Sequence, residues 1–217
     1  MFVGHLGAGL ISKRMAPRLN LGVLFFAAML LDALLWIFVL LGVEQVHVPA
    51  NFGEVHYLTF TFPYSHGLIA SLCWSAAAFG VTRAFGWDAG AGLVIAATVF
   101  SHFVLDALVH VVGLPVLGPG SYRLGLGLWR HTGLELVVEC AIGGLGWWLY
   151  LGSPMAASGV ARWSLGAVMA LCALLTVMGG LATTPPPSAG TLAAISLATI
   201  GILSALVFWL DPRGAAR

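Results

Sequence analysis

Ala89–Val112 reads AGAGLVIAATVFSHFVLDALVHVV. A bilayer core of about 30 Å asks for about 20 apolar residues in a helix, and this run is long enough and apolar enough to supply them. Its only ionisable residues are His102, Asp106 and His110 in Ser101-His102-x3-Asp106-x3-His110. Four residues turn a helix by about 400°, so these three share one slowly drifting face, with neighbours about 6 Å apart along the axis. His102 and His110 are then about 12 Å apart, too far to share one ion. His102 with Asp106 is therefore the first candidate metal pair, with His110 as an outer ligand, proton carrier or supporting group. An Asp–His bond that only joins two helices is the competing reading.

The rest of the chain has the same character. Of 217 residues, 60% are hydrophobic and 8% charged, against about 25% charged in an ordinary soluble domain, which excludes a soluble enzyme. Disorder is excluded by the same apolar content. A formal net charge of +1 provides no basic field for nucleic acid. The expected fold is all-α, a polytopic membrane bundle of about six spans: Leu19–Val43, Tyr64–Phe85, Ala89–Val112, Leu134–Leu151, Val160–Thr183 and Ala189–Leu210. Turn-forming clusters such as Gly152-Ser153-Pro154 and Thr184-Pro185-Pro186-Pro187-Ser188 separate them. The chain reads as one domain, 1–217, with the polar residues in 1–150 and two further spans in 151–217.

Basic residues collect on one side of this arrangement: Lys13, Arg14, Arg18, Arg83, Arg162, Arg213 and Arg217, with only Arg123 and Arg130 on the other. By the positive-inside rule both termini are expected to be cytoplasmic. The first long run reads as a retained signal anchor. Met1–Ser12 is apolar but too short to span, and is expected to lie in the interface or to dip into the protein as a half-helix. Cys73, Cys140 and Cys172 fall inside predicted helices and read as buried packing residues.

Other ionisable residues interrupt other spans. Asp32 stands in Leu30-Leu31-Asp32-Ala33-Leu34, where insertion costs about 2.5–3.5 kcal/mol, so its partner must come from another helix. Pro63-Tyr64-Ser65-His66-Gly67 is expected to form the first turn of the second span, with His66 near a dipole-positive end. His131, Glu135 and Glu139 repeat the four-residue step into the fourth span. Glu139 is the deepest of them and needs a proton or cation to offset its burial. His131 and Glu135, and the loop residues Glu44, His47, Glu54 and His56, read as solvated. At about 1.5 Å per residue, a cavity in the outer half of the membrane gathers Asp32, His66, His102, Asp106 and Glu139. His5 joins them only if the N-terminal segment inserts. Such a donor set suits a divalent transition metal, zinc first, with iron or manganese as alternatives, and Glu139 or His110 is placed to move protons.

These residues resemble the YdjM-like family of small bacterial inner-membrane proteins labelled membrane-bound metal-dependent hydrolases. The likeness lies in Gly4-His5-Leu6-x-x-Gly9, Leu31-Asp32, Tyr64-Ser65-His66 and Ser101-His102-x3-Asp106. Gly125-Leu126-Gly127-Leu128-Trp129, with Glu139 beyond it, is similar to a close subgroup. It covers most of 1–150; the last two helices carry no such motif. Where the wider family often has an acidic pair after proline in the first span, this chain has only Asp32.

The leading expectation is a membrane-embedded hydrolase of a lipid or lipid-linked ester or phosphoester. His66, His102 and Asp106 would bind the ion, and Asp32 and His5 would complete or orient the site. An ion- or proton-coupled transporter and a non-catalytic membrane subunit are the alternatives that use the same cluster.

Overall fold

The computed structural model describes residues 1–153 and 156–211; Pro154, Arg213 and Arg217, named above, lie outside the described residues. The fold is all-α apart from two short ribbons. In chain order the helices are α1 (Val3–Met15), α2 (Leu21–Ala28), α3 (Leu30–Leu40), α4 (Phe52–Val55), α5 (Leu68–Ala84), α6 (Ala89–Val109), α7 (Thr132–Leu151), α8 (Val160–Gly180) and α9 (Ala189–Leu210). The helices α6, α7, α8 and α9 are each long and apolar enough to cross a membrane. The first expected span is instead a broken pair, α2 and α3, bent by 53° at Met29. Counting that pair as one crossing makes five candidates, and α5 is apolar but only 17 residues long.

Helix starts follow from side-chain caps, which satisfy N–H groups that have no partner within the helix. Asn20 accepts from Gly22 N at 2.8 Å and Asp88 from Ala91 N at 2.9 Å. The break at Met29 has a different cause. No proline or glycine stands there, and the carbonyl of Ala28, at the end of α2, is taken by the His102 side chain at 2.7 Å. A side chain entering the helical ladder is a recognised source of such kinks.

The N-terminal segment does insert. α1 is buried along Val3–Lys13 on most of its surface, packed against α2, α6 and α7. Glycine makes this possible on the α7 side, because a Cβ on Gly7 would stand 2.6 Å from the carbonyl oxygen of Ile142. Gly7→Val is expected to destabilise the bundle by about 1–3 kcal/mol through overpacking, read as a lower unfolding midpoint in detergent. An unchanged midpoint would show that α1 does not dock there.

Lys13, expected at the membrane edge as a topology signal, is fully buried. Its ammonium lies 2.7 Å from Asp211 Oδ2 and donates to Leu19 O at 2.6 Å. Asp211 Oδ2 also accepts from Leu21 N at 2.8 Å, and Asn20 Nδ2 donates to Asp211 O at 2.8 Å. One polar knot thus ties α1, α2 and α9 together at one end of the bundle. The cysteines differ from expectation in part: Cys172 is core, whereas Cys73 is exposed on the outer surface of α5.

The opposite end carries the loops. β1 (Gln45–His47) pairs antiparallel with β2 (Thr59–Thr61), and β3 (Leu114–Pro115) with β4 (Arg123–Leu124). Gly125 and Gly127 take φ of +144° and +78°, values that favour glycine. They fold the chain back so that Leu126 N and Gly127 N donate to Ala107 O and His110 O, each at 2.8 Å. These bonds satisfy carbonyls at the end of α6 and give the Gly-Leu-Gly segment its structural reason.

Candidate metal centre

Four side chains from three parts of the chain meet at one point. Asp32 comes from α3 just after the break, His66 from the turn before α5, and His102 and Asp106 from α6. His66 therefore precedes its helix instead of opening it, since α5 starts at Leu68. His66 Nε2 lies 3.1 Å from His102 Nε2, 3.4 Å from Asp32 Oδ1 and 3.4 Å from Asp106 Oδ2. His102 Nε2 lies 3.4 Å from Asp106 Oδ2 and 3.7 Å from Asp32 Oδ1. Ligands held about 2.0–2.1 Å from a tetrahedral ion stand about 3.3 Å from one another. The three separations among His66, His102 and Asp106 match the edges of one face of such a tetrahedron, and Asp32 lies within 3.7 Å of both imidazoles.

Proton positions follow from the outer bonds. The carbonyl of Ala28 can only accept, so His102 Nδ1 carries the proton that bonds it, and in the neutral ring Nε2 presents a lone pair. The Ser65 hydroxyl spends its one proton on Glu44 Oε2 at 2.6 Å, so at 2.8 Å it accepts from His66 Nδ1. His66 Nε2 is then also a bare lone pair. With both imidazoles neutral, two lone pairs and two carboxylates face one buried point and repel one another unless a cation lies between them. The Met1 ammonium, 3.5 Å from Asp106 Oδ1, meets only the far side of that carboxylate. The donor set therefore fits a divalent metal ion, and His66, His102 and Asp106 together form one group that could hold it.

His5, Asp32 and His102 form a second, overlapping group. His5 stacks on His102 with ring centroids 3.7 Å apart, and its Nε2 lies 3.2 Å from Asp106 Oδ1. Its buried Nδ1 has no hydrogen-bond partner. His110 Nε2 is 3.5 Å from Asp106 Oδ2, and its ring lies 3.9 Å from that of Trp129. Glu139 stands apart from this cluster, where Oε1 accepts from Phe2 N and, at 3.4 Å, from Gly4 N.

Two residues read as solvated are buried. Glu44 is 1% exposed and accepts from Tyr64 N at 2.8 Å and Ser65 N at 2.9 Å in addition to the Ser65 hydroxyl. Glu135 is also buried. His56 is half-buried and bonds Ala182 O at 2.9 Å, whereas His47, Glu54 and His131 are exposed as expected. No local pattern marks Glu44, because its role depends on a turn some twenty positions downstream. Outer partners of a ligating histidine are worth about 10–100-fold in metal affinity. Ser65→Ala and Glu44→Gln are each expected to weaken metal binding within that range in a competitive chelator titration; affinities equal to wild type would show that the relay does not orient His66.

A cavity of about 750 Å³ adjoins the cluster. Asp32, whose side chain is 21% exposed, is a member of the cluster that also lines it, together with Trp36, Glu135 and Glu139. Comparison with family models, with curated proteins and with solved structures finds no match. The chemistry must therefore be read from the site itself.

Proposed function

We propose that the protein is a membrane-embedded metal-dependent hydrolase acting on a lipid or lipid-linked ester or phosphoester. The observation that carries this reading is the convergence of His66, His102 and Asp106, with Asp32 within 3.7 Å of both imidazoles, beside an apolar cavity in a chain with membrane-length helices. His66, His102 and Asp106 would hold the ion, with Asp32 and His5 completing or orienting the site, and zinc suits the imidazole–carboxylate set best, with iron or manganese as alternatives. When bound, such an ion supplies a nucleophilic water at neutral pH and polarises a carbonyl or phosphoryl oxygen.

The chain's own residues have separate tasks in this reading. Ala28 and Ser65 hold the two imidazoles with their Nε2 atoms inward. Asp32 is the member of the cluster on the cavity side, so substrate would approach past it. Glu139, on the same wall, or His110, beside Asp106, would move protons. His5 and Trp129 cover the cluster from two sides and exclude bulk water, which strengthens every charge interaction within. We further propose six membrane crossings, with α2–α3 as one and α5 as another, and a bacterial inner membrane with both termini cytoplasmic.

The test is release of product from a bacterial lipid extract by the purified protein, followed by mass spectrometry. Release that needs a divalent metal and disappears in His102→Ala supports hydrolysis. Absence of any product, with proton or divalent-ion flux in proteoliposomes that an Asp32→Asn change abolishes, would replace it with transport.

A further inference from the structure

The cavity has a selectivity that hydrolysis alone does not require. Its volume of about 750 Å³ falls within the roughly 300–1,000 Å³ typical of small-molecule pockets. Met29, Leu136 and Ile200 form apolar wall. Leu175 of α8 and Ile195 of α9 also line it and are 52% and 55% exposed. Leu175 lies five residues before the end of α8 and Ile195 six after the start of α9, so this side of the cavity lies within the apolar length of both helices.

The charged part of the wall is mainly acidic. Asp32, Glu135 and Glu139 line the cavity; no lysine or arginine does among the described residues, and the Met1 ammonium, which also lines it, stands 3.5 Å from Asp106 Oδ1. Thr176 Oγ1, also on the wall, is buried without a hydrogen-bond partner, so the wall offers an unused polar atom to a guest. An anionic guest would meet three carboxylates against one ammonium that already faces Asp106, in a medium where like charges repel far more strongly than in water. A hydroxyl or ammonium group would find acceptors.

We propose that the cavity binds one acyl chain of a membrane amphiphile whose head is neutral or cationic, and that it rejects anionic heads. This deepens the hydrolase reading by favouring carboxylic esters over phosphoesters, and rests on that reading only for its purpose, since binding itself needs no metal. The full chain, delipidated in a non-ionic detergent and stripped with a chelator, is titrated by native mass spectrometry with three amphiphiles of equal chain length: a monoacylglycerol, a long-chain primary amine and a lysophosphatidate. The first two are expected to bind at least about tenfold more tightly than the third, a gap of about 1.4 kcal/mol. Glu135→Gln is expected to narrow that gap several-fold, and Ile195→Trp, which enlarges a side chain on the cavity wall, to weaken all three alike.

Lysophosphatidate binding as tightly as the amine would overturn the proposal, and so would Ile195→Trp leaving all three unchanged. A melting curve of each variant separates lost binding from lost fold. Selective binding with no product release from the metal-loaded protein would sink the hydrolase and leave this site standing. Product release without selective binding would do the reverse.

Discussion

Purified under metal-sparing conditions, the protein is expected to carry about one equivalent of a divalent transition metal, as three convergent ligands allow, and His102→Ala to carry almost none. His102 belongs to both groups that could hold an ion, and its loss removes Nε2, which lies within 3.7 Å of Asp32, His66 and Asp106. Removing even an outer partner costs about 10–100-fold in affinity, so loss of a direct ligand should exceed that. Elemental analysis of wild type and variant, with unfolding midpoints measured in parallel, decides the matter. A further consequence is a stability change, because ions that bind only the folded chain stabilise it by mass action. Chelation should lower the wild-type midpoint and leave that of His102→Ala nearly unmoved. Equal metal content in the two proteins would refute the centre as described.

The second large effect is expected far from this centre, at Lys13. Its ammonium and the Asp211 carboxylate are 0% and 1% exposed and 2.7 Å apart. Breaking a buried pair by removing one partner costs about 3–5 kcal/mol, because the other charge is left uncompensated. Lys13→Met keeps most of the aliphatic stem and removes the charge, so the loss falls on Asp211, which still accepts from Leu21 N. The double variant Lys13→Met, Asp211→Asn should recover part of the loss, because the amide retains an acceptor for Leu21 N without a buried charge. Chemical unfolding in detergent provides the measurement. A single-variant loss below about 1 kcal/mol, the size seen for exposed pairs, would mean that water reaches the knot.

Local pattern carried much of the site. The four-residue step of His102, Asp106 and His110 puts them on one face whatever surrounds α6, because helical geometry alone decides it. An aspartate amid leucines at position 32 demanded a partner from elsewhere, since lipid provides none. The Glu44–Ser65–His66 relay had no such signature. A glutamate in a loop reads as solvated, and only the fold of 41–67 brings it beneath the His66 turn. Lys13 misled for a related reason: a lysine beside an apolar run is normally a topology signal, and its burial depends on an aspartate 198 positions away.

The break at Met29 shows the same division. Hydropathy saw one continuous run from Leu19 to Val43, because a kink without proline or glycine leaves no trace in composition. The bend exists because a histidine of α6 takes a carbonyl of α2, a long-range bond.

What the sequence by itself determined was the membrane-length helices, their apolar surfaces and the list of polar residues that lipid cannot solvate. These follow from transfer free energies and helical periodicity, which act residue by residue. What only the tertiary structure decided was which of those residues share a point, which nitrogen of each imidazole faces it, and that α1 is buried inside the bundle. Those are matters of distance between remote segments, set by glycine contacts, one helix break and two outer hydrogen bonds.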